Sequence, residues 1–231
     1  MSSSTIASFV FLLTLSFFLP TAFGANPPGI SLPMILVDGL TGYLSIQAPP
    51  SGFGLGSLGQ IPNQAYGLAL CRGDVSSHDC KTCVVEACSE IRKRCPYNKG
   101  GIIWYDHCLF KYSNVEFFSQ VDYGNRFYMW KSNKVSEPEA FNQKTKQLLS
   151  EMANEAYANP KLYAVGETEL YGSEKLYRLT QCTRDLSTNE CKKCLDGIIR
   201  ELPSCCNGKG GRVVGGSCNF RYEIYPFLNS L

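Results

Sequence analysis

The sequence has little of what marks catalysis or charge-driven binding. It holds two histidines, His78 and His107, and no G-x-S-x-G, H-E-x-x-H or glycine-rich phosphate loop. The motif-bearing hydrolases, zincins and nucleotide enzymes are thereby excluded. A lone imidazole without an oriented neighbour is also a poor catalyst, so His78 at a helix start and His107 in a strand read as surface or structural residues. Net charge is only +2 over 231 residues, which gives no broad field to hold nucleic acid or an anionic membrane. Asn-x-Ser/Thr is absent, so no N-linked glycan is expected. After residue 24 no apolar run approaches the length of about 18 residues that a membrane span needs.

What is abundant is cysteine. All twelve lie between Cys71 and Cys218, and such a set means disulfides or metal according to compartment. Residues 6–19 form an uncharged apolar run too short for a span, followed by Ala22 and Gly24 at the −3 and −1 positions before Ala25. That pattern predicts a secretory leader over residues 1–24 and an extracellular, soluble mature chain. In an oxidising compartment the cysteines pair with one another. The C-x2-C pairs have neither the second pair that zinc requires nor a βαβ setting for redox work. No metal or cofactor is expected.

The chain is a duplication. Cys71, Asp74, Ser76, Cys80 and Cys83 align with Cys182, Asp185, Ser187, Cys191 and Cys194 at an offset of 111. At an offset of 110, Cys95, Lys99-Gly100-Gly101, Cys108 and Tyr112 meet Cys205, Lys209-Gly210-Gly211, Cys218 and Tyr222. After each first cysteine a serine opens a helix, with Glu190 completing a capping box in the second copy. Cys80, Cys83, Val84, Ala87 and Ile91, and Cys191, Cys194, Leu195, Ile198 and Ile199, recur at helical spacing. The Lys-Gly-Gly turns lead into paired strands over 102–112 and 212–225. Ser136, Pro138 and Glu139 start a further helix striped by Phe141, Leu148, Leu149, Met152, Ala153 and Ala156 and stopped at Asn159-Pro160. Asp74 and Asp185 are expected to cap backbone amides in the turn before each helix.

Residues 25–70 carry one charge, Asp38, and many Gly and Pro. Pro33, Gly39 and Gly42 interrupt the stretch where a first helix belongs. Residues 25–50 therefore read as irregular, 51–120 as a first domain lacking its first strand and helix, and 125–231 as a complete second domain.

These motifs, with CRGDVS, CTRDLS and SCNFRYEIYPF, resemble the plant cysteine-rich repeat secretory proteins, built from ginkbilobin-homologous (salt stress response/antifungal) domains. The same domain forms the ectodomains of cysteine-rich receptor-like kinases. The resemblance runs from about Ser51 to the C-terminus. It implies an α+β fold of two tandem disulfide-rich domains, each with two helices on a five-stranded antiparallel sheet. It also implies disulfides Cys71–Cys80, Cys83–Cys108, Cys182–Cys191 and Cys194–Cys218. The family's third bridge would join Cys95 and Cys205 to first-strand cysteines that this chain does not have. Cys88 and Cys95 are therefore expected to be free, mispaired or intermolecular, and the state of Cys205 and Cys206 is left open.

The resemblance also points to a ligand site. In the single-domain antifungal member a mannose site uses an Asn in the first strand, an Arg six residues before the last cysteine and a Glu five after it. Arg212 and Glu223 match the second and third, Lys131 falls on the Asn position, and repeat 1 has Ile102 and Ser113 instead. A charged donor and acceptor on adjacent strands suit a pair of sugar hydroxyls. The bland alternative is a cross-strand ion pair. The expected function is non-enzymatic recognition in the plant apoplast, of a protein partner through exposed sheet faces or of a cell-wall or fungal glycan through Arg212 and Glu223. Neither nucleic acid nor a membrane span is expected.

Overall fold

A computed structural model describes residues 22–24, 32–131, 135, 137–170, 174–202 and 208–229, and the duplication is visible as one topology used twice. Repeat 1 runs β1 (Ala22–Gly24), α1 (Met34–Ser51), β2 (Phe53–Gln60), β3 (Asn63–Cys71), α2 (Ser77–Arg94), β4 (Gly100–Trp104) and β5 (Cys108–Ser113). Repeat 2 runs β6 (Arg126–Trp130), α3 (Pro138–Ala158), β7 (Tyr163–Glu169), β8 (Lys175–Cys182), α4 (Thr188–Arg200), β9 (Gly210–Gly215) and β10 (Cys218–Glu223). The sheets are ordered β1-β4-β5-β3-β2 and β6-β9-β10-β8-β7, with every neighbouring pair antiparallel.

Local chemistry accounts for most boundaries. The Ser76 and Ser187 hydroxyls accept from the N–H groups of Asp79 and Glu190, and Glu190 closes the capping box. The predicted stripes of α2, α3 and α4 are all buried. His107 lies in the turn between β4 and β5, not in a strand.

One expectation is overturned: within residues 25–50, read as irregular, a helix starts at Met34 and runs to Ser51, so repeat 1 has its first helix. Val37, Leu40, Thr41, Leu44 and Ala48 form its buried stripe. The stripe is hidden in the sequence because the opposite face is apolar too, with Ile35 77%, Tyr43 47% and Ile46 70% exposed. Pro33 stands at the N-cap, Pro49 and Pro50 in the last turn, and Gly52, with φ of +78°, ends the helix in the left-handed conformation that favours glycine. Gly39 is not a breaker but a close-approach position, since a Cβ there would stand 2.5 Å from Leu58 of β2. The first strand is also present. Gly24 pairs with Gly101 as Trp130 pairs with the equivalent Gly211.

Each sheet packs one face on its own helices, building a separate core around Phe110 and Ile91 in repeat 1 and Phe220 and Leu195 in repeat 2. The other two faces close on each other. Leu68, Leu70, Ile102, Trp104 and Leu109 of repeat 1 cluster with Val214 and Phe127 of repeat 2. The result is four layers, helix–sheet–sheet–helix, so the sheet faces expected to serve as an open interface are already used within the chain.

The contact is reciprocal, as a pseudo-two-fold requires. Ser119 N–H donates to Asp185 at 2.9 Å, and Asn229 N–H, 110 residues on, donates to Asp74 at 2.8 Å. Both aspartates do cap backbone amides, but those of the opposite repeat.

Disulfides join Cys71–Cys80, Cys83–Cys108, Cys182–Cys191 and Cys194–Cys218. Cys88 and Cys95 are unpaired and buried. Burial pushes the Cys88 thiol up to about 12 and raises Cys95 as well, so neither presents the thiolate that reacts. Cys205 and Cys206 lie outside the described residues. Thiol titration should therefore count at least two more reactive groups in guanidinium than in native buffer. Equal counts would mean that Cys88 and Cys95 are bridged or exposed.

Candidate functional site

The three residues singled out for sugar binding share one sheet face but do not form an open site. Arg212 of β9 lies opposite Arg221 of β10 and Met129 of β6, one row from Gly210 opposite Glu223. Lys131, just after β6, donates its N–H to the Gly210 carbonyl at 3.0 Å. A Cβ at position 210 would meet the Glu223 carboxylate, so Gly210 leaves the room that this carboxylate occupies.

The partners of this row come largely from repeat 1. Asp106, in the β4–β5 turn, receives Arg212 Nη1 at 2.8 Å and Arg221 Nη1 at 3.0 Å on one oxygen, and Arg72 Nη1 at 3.4 Å on the other. Arg72 is held in turn by Asp74, with Nε at 2.6 Å. Glu223 Oε1 accepts from Arg221 Nε and Nη2, both at 3.3 Å, while Lys131 Nζ lies 3.7 Å from Oε2. Lys131 also sits 3.9 Å above the Tyr225 ring, and Arg221 4.2 Å from the Phe227 ring. Among the described residues no ion pair joins Arg212 to Glu223.

Burial is deep: the side chains of Glu223 and Arg212 are 9% and 15% exposed. It would push the Asp106 carboxyl up, but the neighbouring guanidiniums of Arg212, Arg221 and Arg72 outweigh it and hold Asp106 below its ordinary range. Burial pulls Arg212 down to about 10, leaving it a cation at neutral pH. The adjoining cavity, lined by Arg72, Trp104, Asp106, Gln181 and Arg212, measures about 30 Å³. That admits a water and not a sugar ring. Arg212, which lines that cavity, has an Nε without a hydrogen-bond partner among the described residues and is suited to such a water.

Four residues of this cluster, Asp106, Arg221, Arg72 and Trp104, were not singled out from the sequence. A usable signal existed for one. The predicted β9–β10 hairpin sets Arg221 opposite Arg212, and two guanidiniums in register require an anion. In repeat 1 the equivalent places hold Ile102 and Lys111, and Lys111 finds its anion in the linker, as Asp122 at 2.7 Å. No group of three or more His, Cys, Asp or Glu side chains among the described residues is placed to hold a metal ion.

Comparison with known proteins agrees with this architecture. The salt stress response/antifungal family matches at residues 35–115 and 129–225, one match per repeat. An antimicrobial ginkbilobin-2-like protein of Castanea crenata is 60% identical over 195 residues, 84% of this chain and 81% of that one. Cysteine-rich repeat secretory protein 38 of Arabidopsis thaliana is 55% identical over 197 residues, 84% of this chain and 78% of that one. Among solved structures, the tandem DUF26 ectodomains of the Arabidopsis thaliana receptor-like proteins PDLP8 and PDLP5 superpose with TM-scores of 0.75 and 0.71 at 22% and 21% identity. Each superposition covers 88% of this chain and 98% of the other, and at that identity the likeness shows the fold. Two family matches at the two sheets, with relatives more than half identical over most of their length, establish that the chain belongs to the salt stress response/antifungal (DUF26) family in its tandem, cysteine-rich repeat form.

Proposed function

We propose that the chain is a secreted, non-enzymatic recognition protein that binds a protein partner outside the cell, in defence or stress signalling. One observation carries the reading: repeat 1 presents an apolar, nearly charge-free surface built by α1 and β2. Ile35 and Ile46 on the helix, Tyr43 beside them, Leu58 at the strand and Ile61 at the hairpin tip, 84% exposed, all face solvent. The one charge between residues 25 and 70 is Asp38, which is paired with Arg92 at 2.7 Å. Exposed apolar groups gathered on one face are a feature of protein-binding surfaces. The four disulfides suit an oxidising compartment. No described helix is long and apolar enough to cross a membrane. Several relatives carry secretory names, and one is named antimicrobial.

The test compares wild type with an Ile35→Asp, Ile46→Asp variant as bait in extracellular fluid. A saturable protein complex lost in the variant is expected, and equal capture by both would set the reading aside. Calorimetric titration of mannose and yeast mannan into the full chain is expected to be flat, because Asp106 occupies Arg212. Saturable heat abolished by Arg212→Ala would restore the glycan reading.

A further inference from the structure

Leader removal and strand β1 make claims on the same residues. Ala22 and Gly24, the small residues of the cleavage pattern before Ala25, are the first and last residues of β1. A chain cut there keeps β4-β5-β3-β2 and has β4 as its edge. We propose that processing opens β4 as a docking edge for an extended segment of a partner protein. The inference rests on the secreted, protein-binding reading above and adds a second, separate surface to it.

The edge is equipped for strand addition. Tyr105 N–H donates to the Cys108 carbonyl, and Asn114 N–H to the Lys99 carbonyl, so residues 99 and 105 bond toward β5. Antiparallel alternation then turns the N–H and C=O of Gly100, Ile102 and Trp104 toward the place of β1. The strand, GGIIW, has no charge and no proline, the devices that usually keep an edge from pairing. Its acceptance of a strand is already on display, because β1 is seated there in antiparallel register, Ala22 on Ile103, Phe23 on Ile102 and Gly24 on Gly101.

Side-chain space gives the edge selectivity. Ile102 lies on the face that opens onto a groove of about 330 Å³ lined also by Lys111, Val115, Phe117 and Asp122. In repeat 2 the corresponding row is filled by Arg212, Arg221 and Glu223. The partner that fits is an extended strand with a large apolar residue opposite Ile102: main-chain bonds supply affinity, and the groove chooses the side chain.

The experiment secretes the full chain from plant cells, determines the N-terminus of the product, and titrates it with a fluorescent peptide of residues 21–26 (TAFGAN) by anisotropy. A second peptide carries an N-methyl group on its Phe, removing the N–H aimed at Ile102. An N-terminus at Ala25, saturable binding and a loss of about tenfold on N-methylation are expected. Absence of protein from the medium overturns the secreted reading and this proposal with it. An N-terminus at or before Ala22, or one at Ala25 without peptide binding, overturns this proposal alone. So does a dimer in sedimentation that excess peptide dissociates, because the edge would then serve a second copy.

Discussion

Replacing Trp104 by Ala is expected to lower the unfolding free energy by about 3–5 kcal/mol, the cost of deleting a large buried aromatic side chain. For a chain of this size the melting temperature should fall by about 10 °C. The indole is 5% exposed at the seam between the sheets, meets the Phe127 ring edge-on at 5.3 Å and donates Nε1–H to the Gly215 carbonyl at 3.0 Å. Deleting it opens a cavity and leaves a buried carbonyl unpaired. Trp104 belongs to neither repeat's own core, so the loss reports on the union of the repeats. Trp104→Phe, which keeps most of the volume and loses the donor, should cost about 1–2 kcal/mol. A Trp104→Ala protein that melts like wild type in scanning calorimetry would mean that the sheets do not pack face to face.

The second large effect is expected at Asp106. Asp106→Asn leaves Arg212, Arg221 and Arg72 facing a neutral amide. Removing one partner of a buried ion pair costs roughly 3–5 kcal/mol. Asp106 is 33% exposed, so solvent screens part of the loss and about 2–3 kcal/mol is the expected figure. The pH dependence follows in sign. A carboxyl held below its ordinary value stabilises the fold fully above the unfolded pKa of about 4 and loses that contribution as pH falls through the lowered folded value. Asp122, which burial would raise but which Lys111 and Asn125 hold down, acts in the same direction. Stability from these groups should therefore be level between about pH 5 and 7 and decline below about pH 4. Asp106→Asn should flatten part of that acid limb, and a variant with an unchanged acid limb would show that the carboxylate is not paired as described.

Much of this fold could be read from the sequence because cysteine spacing, serine caps and Lys-Gly-Gly turns are local signals, and the repeat states each of them twice. Helix α1 was hidden for a physical reason. A stripe is seen against a polar background, and Ile35, Tyr43 and Ile46 remove that background while two glycines and three prolines imitate a loop. The candidate site was legible only in its parts. Arg212 and Glu223 do lie on one sheet face. That face, however, is closed by an aspartate about a hundred residues upstream in the other repeat, and no periodicity or spacing in either repeat alone encodes such a contact. The charge row of repeat 2 thus reads as a ligand site in a single domain and as an interdomain latch in the tandem chain.

The latch is tested most directly by a double-mutant cycle across the repeats, with Asp106→Ala and Arg212→Ala made singly and together and unfolded in denaturant. Groups that share one ion pair should be non-additive by about 1–3 kcal/mol. The double variant should then cost little more than either single one. Losses that add to within about 0.3–0.5 kcal/mol would mean that Arg212 is not held by repeat 1 and that its face is open to ligand.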